Sequence, residues 1–220
     1  MFNRSARAER RQEDQMKLYW CPHTRSFSIL WLMEEAGLPY ERVLVDIHAG
    51  EQRKETYLSI NPMGKVPALV DGETVVAEQG AICAYVADRY PESGLAPRID
   101  EPSRGRYLEW LFFAGSCIEP AFMEKVSGWE VKPTMSGWGN YDRVVAALER
   151  ALAQGPWVLG ERFSAADIMI GSGVHFGLAF GMLDKKPVFT AYEERLVARP
   201  AFQRAHEIDE AGAVERVKAS

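Results

Sequence analysis

The chain has 220 residues, 47% of them apolar and 26% charged, with a formal net charge of −5. That balance builds a packed core and excludes a largely disordered chain, while the surplus of acids excludes a broad phosphate-binding surface for nucleic acid. Three cysteines, Cys21, Cys83 and Cys117, form an odd set without framework spacing, which points to a reducing cytoplasm and against a disulfide scaffold.

Residues 1–15 are Arg-rich but also hold Glu9, Glu13 and Asp14, unlike a mitochondrial presequence, and are expected to be a disordered extension. From Met16 the pattern becomes regular. Lys17 to Trp20 reads as a strand, Cys21-Pro22 breaks it, and Ser26 to Ala36 has helical periodicity, with Gly37 placed to end it. Glu41 to Asp46 is a second strand, and residues 51–59 fit a short charged helix. Asn61 to Pro67 leads into a strand at Ala68 to Val70. Asp71-Gly72 signals a hairpin returning through Thr74 to Ala77, and residues 80–89 are helical. The order is βαβ then ββα, a layered α/β unit over residues 16–90.

Pro91, Gly94, Pro97 and Pro102 fall too densely for a helix and define a linker over residues 91–102. Residues 103–220 then form an all-helical domain. Its helices are expected at 103–125, Asn140 to Gln154, Ala165 to Leu183, Val188 to Ala198 and Ala201 to Asp209, with a loop at 127–140. The uncharged run 168–183 is too short for a membrane span, which needs roughly 20 apolar residues, and reads as a buried helix. No membrane partner is expected.

Four stretches carry most of the information. In Gly64-Lys65-Val66-Pro67, the Val-Pro bond leading into a strand is a candidate cis peptide, a form almost confined to proline. A cis bond there turns the Val66 N–H and C=O outward, free to pair with an extended peptide; the competing reading is a trans turn proline. In Glu78-Gln79-Gly80, an acid at a helix start can hold an ammonium while the free amides behind it hold a carboxylate. The simpler alternative is an acid that stabilises the helix by a few tenths of a kcal/mol.

In Trp20-Cys21-Pro22-His23-Thr24-Arg25-Ser26, a thiol between strand end and helix start is positioned for a lowered pKa. Moving a thiol down two units takes about 2.7 kcal/mol. A helix terminus supplies roughly 0.3–1 kcal/mol and a hydrogen bond to the anion about 1.5–3. The two together suffice, and the dipole alone does not. The activated group is either Cys21 or a bound thiol; a small buried cysteine is the competing reading. Finally, Ser164 and Asp167 have the spacing of a reciprocal N-cap at the start of the buried helix.

Together and in this order, these stretches resemble the glutathione transferase superfamily over about residues 16–210. The resemblance implies a thioredoxin-like half followed by a helical bundle, glutathione as co-substrate, no metal, and a cytoplasmic homodimer. The implied reaction is transfer to small electrophiles, or exchange with glutathione mixed disulfides or thioethers. A non-catalytic relative that binds ligands or proteins is the alternative. The resemblance places Val66, with Lys65 and Pro67, against the cysteinyl backbone of glutathione. It puts Glu78 and Gln79 at the γ-glutamyl end and Arg53 near the glycyl carboxylate.

Gln79 departs from the Ser common in the family. Alignment with theta-like members gives the catalytic role to Thr24, with Ser26 nearby. Alignment with omega-like members gives it to Cys21, favoured because the Cys-Pro pair is the rarer coincidence. The electrophile site is expected between the halves, on the stripe Trp110, Phe113 and Cys117 with Ser116 adjacent; the same stripe also suits a core.

Overall fold

Met16, Leu18 and Trp20 alternate with Lys17 and Tyr19 along strand β1 (Met16–Trp20), and the first set is buried. A computed structural model describes residues 15–219, so the extension expected over residues 1–15 lies, except for Gln15, outside the described residues. β1 pairs in parallel with β2 (Tyr40–Leu44) and antiparallel with β3 (Ala68–Asp71), which pairs antiparallel with β4 (Thr74–Ala77). The sheet order is β2-β1-β3-β4. This is the mixed four-stranded sheet of a thioredoxin-like fold, joined to a helical domain.

Helix α1 (Ser26–Ala36) crosses between β1 and β2 and is apolar on every side, so that each residue from Ser26 to Met33 is buried. A helix with no polar face needs cover all round. Gly37 ends it at φ 64°, returning its N–H to Met33 O. The second strand leaves the sheet at Leu44, two residues earlier than expected. Asp46 is drawn instead into a turn, accepting from the N–H groups of His48 and Ala49. The charged segment that follows splits into a 3₁₀ turn at Glu51–Arg53 and helix α2 (Glu55–Leu58), because Lys54 between them is extended. The β3–β4 hairpin closes as expected, with Asp71 paired to Thr74 and Gly72 at φ 57°. Helix α3 (Gln79–Arg89) follows at once.

The first long helix is continuous but not uniform. α4 (Arg104–Phe113) passes through a π turn at Ala114–Ile118 into α5 (Glu119–Ser127). Next come α6 (Tyr141–Leu152), capped by Asn140, α7 (Ala165–Ala179) and α8 (Pro187–Val197). The expected helix 165–183 stops at Ala179, where Gly181 takes φ 67° and Leu183 N–H returns to Gly177 O. The last, α9 (Pro200–Ala219), runs ten residues past the expected Asp209. Its charged second half gives no apolar stripe to read, yet docks on the sheet: a Cβ on Gly212 would lie 2.4 Å from the Trp20 ring. Among the described residues no helix is long and apolar enough to cross a membrane.

The helical domain is organised around Asp167. The expected reciprocal cap between Ser164 and Asp167 is present. The Asp167 carboxylate, fully buried, also accepts from Val158 N–H and Tyr192 O–H, both at 2.9 Å. Burial pushes its carboxyl up to about 6 against these bonds and those from the Ser164 N–H and hydroxyl. Asp167→Ala strands the Val158 and Ser164 amides and the Tyr192 hydroxyl, and is expected to cost about 3 kcal/mol or more in urea unfolding. The folded pKa lies above the unfolded one, so this carboxyl's contribution is greatest below its unfolded value and falls as pH rises through about 6. The margin of the native protein over Asp167→Ala should therefore shrink between about pH 4 and pH 7.

Candidate functional site

The β1–β3 register pairs Tyr19 with Ala68. Carried two residues further, it sets Val66 level with Cys21, so the candidate stretches meet at one end of the sheet. The Val66-Pro67 bond is cis, as expected. The loop before it is pinned through Lys65 O, which accepts from Tyr57 O–H at 2.6 Å and Asn61 Nδ2 at 2.7 Å. Pro67 is buried and Val66 half-buried, and among the described residues nothing bonds the Val66 N–H or C=O. Such groups ordinarily find partners, so an extended peptide fits here. The turn carrying Arg53 lies against this loop: a Cβ on Gly64 would meet Gln52 O at 2.9 Å. The exposed side chains of Arg53 and Lys65 therefore flank one edge, and neither is in an ion pair with a described carboxylate.

On the other side of Val66, Glu78 is exposed at φ 68°, a conformation unusual for a side chain other than Gly, directly before α3. Gln79 behaves differently from a ligand-facing residue. Its Nε2 donates inward to Arg25 O at 3.0 Å and Ser28 Oγ at 2.5 Å, tying α3 to the start of α1. Its backbone N–H remains at the helix N-terminus, where anions are favoured.

The loop from Cys21 to Ser26 separates the three candidate catalytic side chains. Cys21 and Ser26 are both 0% exposed, with Cys21 N–H donating to Ser26 Oγ at 3.3 Å. Burial pushes the Cys21 thiol up, outweighing a backbone hydrogen bond from Ile47 and the charge of Arg216. This reverses the expected lowering: the strand–helix junction folds the thiol behind the loop, where desolvation dominates. Thr24 is partly exposed. Its Oγ1 donates to Cys21 O at 2.6 Å, accepts from Ser26 N–H at 3.1 Å and lies 3.0 Å from Ser26 Oγ.

Thr24 opens onto a cavity of about 350 Å³ between the sheet domain and the helices. Its floor is apolar, with Phe122, Met169, Phe176 and Met182, and its rim carries His23, Arg25, Glu119, His206, Asp209 and Glu210. Arg25 and Glu119 close one side in a two-bonded ion pair, Nε–Oε1 2.6 Å and Nη2–Oε2 2.5 Å.

The expected electrophile stripe is not the one that lines this cavity. Trp110 is buried against Phe113 under Arg106, Ser116 Oγ donates back to Phe112 O, and Cys117 packs against the core. The cavity wall is instead Ala114, Gly115, Ile118, Glu119, Phe122 and Met123. Trp110 and Phe113 are held by the packing just described; for Ser116 and Cys117 the cause is the π turn at Ala114–Ile118. Its wider turn inserts extra chain and rotates every later residue away from the 3.6-residue stripe.

The α9 residues His206, Asp209 and Glu210 were missed, since no local spacing links them to a loop 186 residues earlier. The signal available was histidine usage: three of the four, His23, His175 and His206, line this one cavity. His23, Asp209 and Glu210 bring ligand-type atoms within 4.8 Å of one another. They are engaged mutually, Asp209 Oδ2 accepting from His23 N–H at 3.0 Å and Glu210 Oε1 lying 2.8 Å from His23 Nε2.

A mixed four-stranded sheet with an open edge, closed by a helical domain over a cavity, defines a class: thioredoxin-like proteins with a fused helical half. The family described as Glutathione S-transferase, N-terminal domain, matches residues 14–88, and Glutathione S-transferase, C-terminal domain, matches residues 100–172. Glutathione S-transferase hmp2 of Hypomyces subiculosus is 30% identical over 207 residues, covering 86% of this chain and 97% of its own. The crystal structure of a glutathione transferase from Methylococcus capsulatus superposes with a TM-score of 0.74 at 34% identity, over 89% of this chain and 99% of that one. A glutathione transferase homologue from Sulfitobacter, solved with bound glutathione, gives 0.71 at 32% identity, over 88% and 98%. The chain belongs to the glutathione S-transferase superfamily.

Burial orders the reactivity of the three free thiols. Cys117 is partly exposed, while Cys21 and Cys83 are buried. Brief treatment of the folded protein with iodoacetamide, read by peptide mass spectrometry, should label Cys117 and leave Cys21 and Cys83 unmodified until denaturant is added.

Proposed function

We propose that the protein is a glutathione-dependent transferase in which the Thr24 hydroxyl stabilises the thiolate of glutathione for attack on a small electrophile. The observation that carries this reading is that Thr24 alone of the three candidates faces the cavity, Cys21 and Ser26 being fully buried. The tripeptide main chain pairs with the open N–H and C=O of Val66, beside Lys65 and Pro67. Glu78 takes its ammonium, the α3 amides at Gln79 its γ-glutamyl carboxylate, and Arg53 with Lys65 the glycyl carboxylate. Gln79 contributes through its backbone, because its side chain is committed to Arg25 and Ser28.

Chemically, the thiol gives its proton to water and the thiolate accepts the Thr24 hydrogen, which rotates away from Cys21 O. Ser26 Oγ, 3.0 Å behind, can then donate to Thr24 Oγ1 and keep it polarised. A hydrogen bond to the anion supplies about 1.5–3 kcal/mol and the α1 terminus roughly 0.3–1, together enough for a two-unit shift. The sulfur bonds to the electrophilic carbon and the leaving group departs with the electron pair. The apolar floor of Phe122, Met169 and Phe176 holds the electrophile and excludes water.

The reading includes a homodimer in the cytoplasm. In support, Phe112 is 54% exposed at the seam between α4 and the start of α3, where a large aromatic is costly to leave in water. Light scattering should give about twice the 24.7 kDa chain mass at micromolar concentration; a monomer there rejects this part.

With an aryl halide, Thr24→Val is expected to lower kcat/KM by roughly 10- to 150-fold, while Cys21→Ala stays close to the native rate. The opposite pattern would move the chemistry to Cys21 and to thiol exchange. No turnover by the native protein with aryl halides or disulfides would favour the non-catalytic alternative. In calorimetry, Glu78→Ala should weaken glutathione binding by about 1.5–3 kcal/mol, as for a lost charged hydrogen bond; unchanged affinity rejects the γ-glutamyl assignment.

A further inference from the structure

His23 stands immediately before Thr24 in the left-handed region at φ 57°, one of two such non-glycine residues among those described. Side chains other than Gly are uncommon in that region, although His enters it more readily than most, and a contact from outside the loop favours it here. The holding contact comes from the far end of the chain. Asp209 on α9 is only 4% exposed, and its Oδ2 accepts the His23 backbone N–H at 3.0 Å. A buried carboxylate is unfavourable without donors, and its Oδ1 has no hydrogen-bond partner among the described residues. The bond to His23 is therefore the contact for which this side chain is placed. The His23 ring adds a second link to α9 through Glu210, but both side chains are more than half exposed and the pair is screened.

We propose that Asp209 is a positioning residue for the thiol-activating loop: by gripping the His23 amide it fixes the left-handed turn that presents the Thr24 hydroxyl to the cavity. The C-terminal helix is thus part of the active site. The inference rests on the Thr24 reading above. Asp209 is not needed to keep α9 docked. Arg199 pairs with Glu35 through two bonds of 2.5 and 2.8 Å, Arg204 pairs with Glu34 at 2.9 Å, and Gly212 seats against Trp20. Removing Asp209 should therefore loosen the loop and leave the helix in place.

The test uses the full chain, with kcat and KM for glutathione measured separately against an aryl halide, and the ultraviolet absorbance of bound thiolate recorded at fixed pH. Asp209→Ala is expected to lower kcat roughly 10- to 100-fold, the scale of a small misplacement of a reacting group. It should reduce the bound-thiolate signal and leave KM for glutathione nearly unchanged, because Val66 and Glu78 lie elsewhere. Asp209→Asn, whose amide oxygen still accepts the N–H, should retain most of the rate. His23→Gly placed in the Asp209→Ala background should restore part of it, since glycine adopts the left-handed turn without being held. If Asp209→Ala lowers only the melting temperature, with kcat and thiolate signal intact, Asp209 is merely structural and the proposal is overturned. Equal failure of Asn and Ala also overturns it, because the hydrogen bond would not be what matters. Should Thr24→Val retain full turnover, the reading of the site and this inference fall together; should Thr24→Val fail while Asp209→Ala does not, only this inference falls.

Discussion

Helix α1 is apolar on every side, and the rest of the molecule is arranged by the need to cover it. The sheet takes one side. The others are closed by rings from the helical half: Phe202 edge-on to both Phe27 and Trp31 at 5.2 and 5.1 Å, Phe176 against Phe27, and Phe163 against Trp31. A thioredoxin-like unit carrying such a helix exposes a large apolar surface when alone, so the two halves form one core. The loop that starts α1 consequently lies in the seam between them, and that seam is the cavity.

The division of labour in the site follows from this geometry. On the proposed reading, the groups that recognise a peptide come from the sheet domain, where strand ends and the α3 terminus leave main-chain donors and acceptors open. On the same reading, the groups that meet a second substrate come from α5, α7 and α9, which line the seam, and of these α7 and α9 also cover α1. The same burial decides the fate of the cysteine. The residue that the omega-like resemblance favours as a nucleophile is packed behind the loop, and the weaker acid Thr24 is the one left at the surface of the gap. On the proposed reading a hydroxyl there stabilises a thiolate that the substrate brings, whereas a buried thiol with a raised pKa is a poor source of one.

The sequence by itself determined the order of strands and helices, the hairpin at Gly72, the Ser164–Asp167 cap and the acidic start of α3, and it marked Val66-Pro67 as a candidate cis turn. Each is written in neighbouring residues, because periodicity, proline chemistry and capping act over a few positions. Tertiary structure alone decided which face of the long helix lines the cavity, since a π turn breaks the period on which any stripe depends. It also decided that Gln79 turns inward, that Cys21 is desolvated, and that Asp209 reaches His23 across 186 positions. Those outcomes depend on which groups lose water and which find partners when distant segments pack, and no local pattern encodes that competition.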